Sequence, residues 1–168
     1  MKVETKQKNS KMCMICGLDN EYGVQAPFYS MEDGSVMTIF NYKEQHQSYP
    51  GRVHGGLITA MLDEMGLRAL WAKEKEEKTF GVTLSLDTKY RKPVPYGVKL
   101  IGKGIVVKDT HKFFETESSI MDMEGNVLAN GTIKYIKLAV NQINENASMH
   151  EEMHYLVEDD VKEINFNK

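Results

Sequence analysis

The sequence predicts an α+β protein in which antiparallel strands lie on one side of a single long helix. Three features point there. Residues 55–73 place apolar side chains at helical spacing, at Leu57, Ile58, Met61, Leu62, Met65 and Ala69. Beyond residue 78 the period changes, and four stretches rich in Val, Ile, Thr, Phe and Tyr follow, each bounded by turn residues. One helix can cover only one face of one sheet, so strands, a helix and further strands give a two-layer molecule.

The elements follow in chain order. Residues 1–12 are polar and read as a solvated lead-in. Cys13 to Asn20 is turn-rich. Short strands are expected near 24–31 and 35–43, split by Glu32-Asp33-Gly34, a good hairpin turn. A loop from Gln45 ends at Pro50-Gly51, residues that stop a strand. In the helix, Leu67, Leu70 and Trp71 lie off the main stripe. The helix is therefore apolar on more than one side, as a buried or partner-facing helix would be. Strands are expected at 79–91, 97–107, 112–122 and 127–138, an antiparallel meander. Residues 141–148 read as an Asn-rich linker. Met149, Met153, Leu156, Val157, Val161 and Ile164 then fall at helical spacing and predict a peripheral helix over 149–164. The expected division is a domain at 1–140 and a linker with an acidic C-terminal helix at 141–168.

Composition excludes several classes. The chain has 168 residues, 41% hydrophobic and 27% charged, an ordinary globular balance for one domain. No run of 18 apolar residues exists, so no membrane span is expected. The polar, lysine-bearing N-terminus does not read as a secretory signal. Eleven Met and two Cys fit a reducing, cytoplasmic setting better than a disulfide scaffold. Of the net charge of −3, residues 145–168 supply seven acids against two lysines, so the body is slightly basic. That is too little charge for general nucleic-acid binding, but it leaves room for a local patch facing a phosphorylated ligand.

The segment with chemical content is Gln47-Ser48-Tyr49-Pro50-Gly51-Arg52-Val53-His54-Gly55-Gly56, running directly into the helix and Asp63. Glycines at a helix start let another group approach the backbone closely. First-turn N–H groups lack intrahelical partners and sit at the positive end of the helix dipole. Such a place can hold a developing oxyanion. Asp63, about 2.5 turns further on, is an acid on a largely apolar helix, where it needs a partner, water or a task.

These residues resemble the His-Gly-Gly…Asp signature of PaaI-type hotdog-fold acyl-CoA thioesterases. Upstream, Cys16-Gly17, Asn20 and Gly23-Val24 are similar to the family's opening block. Downstream, the strand Val82-Thr83 to Tyr90-Arg91-Lys92-Pro93-Val94 is similar to the strand after its central helix. The matches cover roughly residues 13–138 in consistent order. The resemblance implies a curved antiparallel sheet wrapped around one long central helix. It also implies a homodimer or homotetramer with active sites between subunits, and an acyl-CoA substrate. Asp63 would activate water or attack the thioester carbonyl directly. The Gly55 amide would polarise that carbonyl, and His54 would shape the helix start and contact the thioester. Thr83 would hold the nucleophilic water, and Arg91 and Lys92 would lie near the coenzyme A phosphates. Gln47, Ser48, Gly56 and Val82 would line the substrate path. Six residues before His54 some relatives carry an Asn on the thioester oxygen; here Ser48 stands there with Gln47 beside it, and either can take that contact. No cofactor, metal or nucleic acid is implied.

Plainer readings stand beside each assignment. Asp63 could be a structural acid, His54 only a cap, Thr83 a common strand residue, and Arg91 and Lys92 a solvated strand end. Glu64 pairs best with Arg68 one turn on. Cys13 and Cys16 form a C-x-x-C without a second cysteine pair, and two thiols packing a turn is the preferred reading over a metal shared across subunits. His150-Glu-Glu-Met-His154 fits the H-E-x-x-H pattern, but its acidic tail has no core after it to supply a third ligand, and an amphipathic docking helix explains it better. The functional alternative to hydrolysis is a non-catalytic acyl-CoA-binding module.

Overall fold

The computed structural model describes residues 1–143 and 153–167. The strands are β1 (Val3–Lys6), β2 (Tyr29–Met31), β3 (Val36–Phe40), β4 (Gln47–Tyr49), β5 (Arg52–Val53), β6 (Phe80–Tyr90), β7 (Leu100–Asp109), β8 (Phe113–Met121) and β9 (Val127–Leu138). The long helix α1 spans Gly55–Glu74, and a short helix α2 spans Val140–Ile143. Seven strands form one antiparallel sheet in the order β1-β2-β3-β7-β8-β9-β6, and β4 and β5 make a separate ribbon.

The last strands depart from the predicted simple meander. β7, β8 and β9 run as one, but β6 pairs with the outer side of β9 over Phe80↔Leu138 to Tyr90↔Ala129. The connection after Tyr90 carries the chain across the molecule, so β7 pairs with β3. β6 is therefore an edge strand. It bulges between Thr83 and Ser85, and it exposes Val82 and Leu84 (40% and 51%).

α1 lies across the sheet with its main packing on β7 and β8. Ile58, Met61, Leu62, Met65 and Ala69 are buried against Val36, Leu100, Ile120 and Ala129, as the helical stripe requires. Leu70, off that stripe, is buried with Phe114, Ile133 and Tyr135. Close approach is permitted by Gly104, where a Cβ would stand 2.8 Å from the Met65 carbonyl oxygen. The helix ends at Lys75, in the left-handed region at φ 58°. Among the described residues no helix is long and apolar enough to cross a membrane.

Strand residues alternate between faces, so the sheet has a second apolar side. Tyr29, Met31, Met37, Ile101 and Met121 form it, and Ile164 from the C-terminal segment covers it. That segment corrects the predicted C-terminal helix. Residues 153–167 are extended, with bridges Asn9↔Tyr155 and Lys2↔Glu163. The part of the predicted helix at 149–152, including His150 and Glu151, lies outside the described residues. Leu156 is 53% exposed while Ile164 is 1% exposed, so the helical spacing marks no common buried face. Backbone pairing to β1 decides the conformation instead: Val3 N–H donates to the Lys162 carbonyl at 2.9 Å, and Ile164 N–H to the Met1 carbonyl at 2.9 Å.

The N-terminus is corrected as well. Residues 1–12 are not a solvated lead-in; they supply β1 and two buried amides. Gln7 Nε2 donates to Ser30 Oγ and to the Arg68 carbonyl, each at 3.0 Å. Asn9 Nδ2 donates to the Cys16 and Ala26 carbonyls at 2.7 and 2.9 Å. Asn9 is buried because its amide satisfies carbonyls of the loop 13–28, and Gln7 because its amide joins β2 to α1.

Candidate active site

The start of α1 is built from its own sequence. His54 has an extended backbone and caps the helix: its Nδ1 accepts from Gly56 N–H at 3.0 Å. Its backbone N–H donates to the His46 carbonyl at 2.9 Å, tying the helix start to a buried imidazole. His46 Nδ1 accepts from Lys43 N–H at 3.0 Å while Nε2 lies 2.8 Å from the Tyr22 carbonyl. A carbonyl only accepts, so Nε2 carries the proton and the ring is the neutral Nε2–H tautomer. Among the described residues nothing accepts from Gly55 N–H, as expected of a first-turn donor.

Tyr90, at the end of β6, locks this start in place. Its hydroxyl donates to the Gly55 carbonyl at 3.1 Å and lies 2.8 Å from Thr59 Oγ1, which in turn donates to Thr88 Oγ1 at 3.2 Å. A cavity of about 310 Å³ opens beside it, lined by Arg52, Gly55, Ile58, Tyr90, Arg91 and Lys92 among others. Three cationic side chains and an unpaired helix N–H thus converge on one concave surface, which suits an anionic ligand. Arg91 is held there by Nε donating to Asn130 Oδ1 at 3.0 Å. Arg52 and Tyr90 were not singled out in the sequence. Arg52 sits just before the helix motif and Tyr90 just before Arg-Lys-Pro, so adjacency to the assigned residues was the available signal.

Asp63 lies elsewhere on the helix. It is half-buried, and its Oδ1 accepts from Thr83 Oγ1 at 2.8 Å. Tyr135 OH donates to the Asp63 backbone carbonyl at 2.7 Å. Burial pushes the Asp63 carboxyl above the usual aspartate range, aided by the neighbouring Glu64 and opposed by the hydrogen bond from Thr83. Glu64 is committed structurally, its Oε1 accepting from Arg68 Nε at 2.8 Å. That pair is no exposed surface bridge. Arg68 is fully buried, with its guanidinium over the Phe28 and Trp71 rings at 4.2 and 5.4 Å.

The predicted residues therefore fall into separate groups. Gly55, Arg91 and Lys92 share the cavity, with His54 and Gly56 at its helix. Asp63 and Thr83 form a second pair, with the exposed Val82 next to Thr83 on β6. Gln47 and Ser48 stand exposed on β4, in a ribbon rather than the predicted open loop, and neither lines the cavity. Gly55 and Asp63 are eight residues apart, about 12 Å along the helix axis. A carboxylate, a water, a thioester carbonyl and the amide that receives its oxygen span about 9 Å end to end. Within one chain the two backbones are therefore spaced somewhat wider along the helix axis than one such array.

Residues 50–129 match the family model of the thioesterase superfamily. That match covers a little under half of the chain. The chain's fold is the hotdog fold, the helix packed against one long antiparallel sheet. A thioesterase superfamily protein of known structure is 24% identical, with a TM-score of 0.66 over 74% of this chain and 63% of that one. This chain thus spans less than two thirds of that relative's length. A thioesterase from Haemophilus influenzae is 14% identical, with a TM-score of 0.61 over 70% of this chain and 80% of the other. A hypothetical thioesterase from Streptococcus pneumoniae, solved with coenzyme A, is 21% identical, with a TM-score of 0.60 over 68% and 86%. No curated protein matches the chain. The matched segment runs from the turn before α1 into β9, and it contains the helix start, Asp63, Thr83, Arg91 and Lys92.

Proposed function

We propose that this protein is a PaaI-like member of the thioesterase superfamily that hydrolyses an acyl-CoA to a free acid and coenzyme A, using Asp63 and water. The observation that carries the reading is the half-buried Asp63, a carboxylate of raised proton affinity with one oxygen held by Thr83 and no basic side chain paired to it among the described residues. A base with a raised pKa takes a proton more readily from water. The Thr83 hydroxyl fixes the carboxylate and offers its lone pair to the same water. That water attacks the thioester carbon, and the carbonyl oxygen gathers charge against the Gly55 N–H at the positive end of α1. The tetrahedral intermediate expels the thiolate of coenzyme A, which takes up the proton held by Asp63. Direct attack by Asp63, through an acyl anhydride, would use the same residues. Arg52, Arg91 and Lys92 would receive the coenzyme A phosphates at the mouth of the cavity, an anionic ligand being what their charge suits.

The 12 Å separation gives this reading a structural condition. The reading sets the Gly55 amide of one protomer against the partner subunit's Asp63. The open edge of β6, with Val82 and Leu84 exposed, is the surface on which a second copy would pair, giving a homodimer or a tetramer of such dimers. Its setting would be the cytoplasm, where both free cysteines stay reduced.

Thiol release from a panel of acyl-CoAs, measured on wild type and Asp63→Asn, tests the reading. Turnover by wild type and its loss in Asp63→Asn are expected. Unchanged turnover in Asp63→Asn would remove the proposed role. Tight acyl-CoA binding without turnover of any thioester would make the protein a binding module instead.

A further inference from the structure

The hydrolytic reading leaves one cluster of chemistry unused, at the junction of the N-terminal turn and α1. Cys13, Cys16 and Glu64 bring one sulfur, a second sulfur and a carboxylate oxygen within 4.8 Å of one another. Sequence inspection found only two cysteines and no further pair. The third donor was hidden because it lies 51 residues from Cys13, on the helix.

The local backbone is shaped around the sulfurs. Cys13 Sγ accepts N–H bonds from Ile15 at 3.3 Å and from Cys16 at 3.5 Å. Two amides aimed at one sulfur stabilise negative charge on it, the state in which a thiol binds metal. The turn closes through Gly17 N–H donating to the Cys13 carbonyl at 2.8 Å. A Cβ at Gly17 would stand 2.5 Å from the Cys13 backbone, so glycine is required there. Ser10 Oγ lies 3.1 Å from Cys16 Sγ and can donate to it.

Glu64 is divided between two tasks. Its Oε1 accepts from Arg68, while its Oε2 faces Cys13 Sγ at 3.9 Å. Arg68 is fully buried, and its Nη2 has no hydrogen-bond partner. A buried guanidinium N–H without an acceptor is costly. A Cys16 thiolate beside it would supply the missing acceptor.

We infer that Cys13, Cys16 and Glu64 form a binding site for a thiophilic divalent cation, Zn²⁺ in the first instance, with water in the fourth position. Two thiolates and a carboxylate suit such an ion, and their three negative charges balance the cation together with Arg68. Zinc–sulfur bonds of about 2.3 Å set tetrahedral donors about 3.8 Å apart, so the present spacing needs only a small closure. The ion would clamp the turn at 13–17 to the middle of α1. The site does not depend on thioester hydrolysis and would persist if that reading failed.

The test is titration of reduced, chelator-stripped full-length protein with Co²⁺, followed by Zn²⁺. One Co²⁺ per chain is expected, with thiolate-to-cobalt charge-transfer absorption that Zn²⁺ abolishes. Cys13→Ser and Cys16→Ser should each lose most of that absorption. Glu64→Gln should keep it while weakening affinity at least about tenfold. Zn²⁺ should also shield both thiols of wild type from a thiol reagent. Absence of the charge-transfer band in wild type would overturn the inference, and so would cobalt binding without thiolate absorption. Both outcomes are read on wild type and do not depend on a variant folding.

Discussion

Asp63 carries two consequences that pull in opposite directions. As a base it must be ionised, so the rate should fall as pH drops through a titration lying above the usual aspartate range. For stability the sign reverses. Burial makes the folded state hold the Asp63 proton more tightly than the unfolded chain, whose aspartate titrates near pH 4. Between those two values the folded state binds more protons, so the group's contribution to stability falls as pH rises through that window. Asp63→Asn should therefore lower kcat by about 10²–10⁴ while raising the Tm at neutral pH and flattening its pH dependence above pH ~4. Steady-state assays and thermal melts across pH check both halves. Arg68 makes the complementary case. Arg68→Leu leaves Glu64 without its cation and removes the stacking on Phe28, and should destabilise by about 3–5 kcal/mol in urea unfolding. The Glu64–Arg68 pair was legible from spacing alone. Its burial was not, because Gln7 and Phe28, which enclose it, are 61 and 40 residues away in sequence.

At the level of elements, α1 and the four strands after it were readable because their periods are long and their turns are marked by Gly, Pro, Asn and Asp. β1 was not, because its four residues are Val-Glu-Thr-Lys and its stability comes from pairing rather than pattern. The C-terminal segment was misread for the converse reason: a helical spacing of apolar residues exists, but the edge of β1 offers it backbone partners that a helix would forgo. The ends of α1 and β6 meet in the cavity, and two predictions belong there. His54→Ala removes the cap on Gly56 N–H and should cost about 1 kcal/mol in stability. If the basic cluster receives phosphates, Arg91→Ala with Lys92→Ala should raise KM for acyl-CoA about tenfold or more, leave kcat nearly unchanged, and weaken the salt dependence of KM.

The complete molecule is where the proposed site is decided, since it takes the Gly55 amide and the Asp63 that act on one carbonyl from two chains. Placing Lys at Leu84 on the exposed β6 edge should convert a dimer to monomers in sedimentation and abolish turnover, while circular dichroism stays that of the folded chain. A monomer retaining full activity would refute the shared site. A site between subunits was already implied by the motif resemblance; which edge could join two copies was not, because β6 becomes an edge only through its pairing with β9.

The C-terminal segment has a consequence for how copies can add to one another. A seven-stranded sheet with two bare edges could grow by strand addition at both, and nothing would stop a fibre from propagating. Here the β1 edge is sealed by the chain's own backbone at Lys162 to Ile164, and among the described residues the β6 edge has no such cover. Two molecules meeting β6 to β6 use up the open edge of each, so lateral growth ends at two. In such a dimer residues 153–167 would act as a stopper against polymerisation, from the end of the sheet farthest from the surface where copies would join.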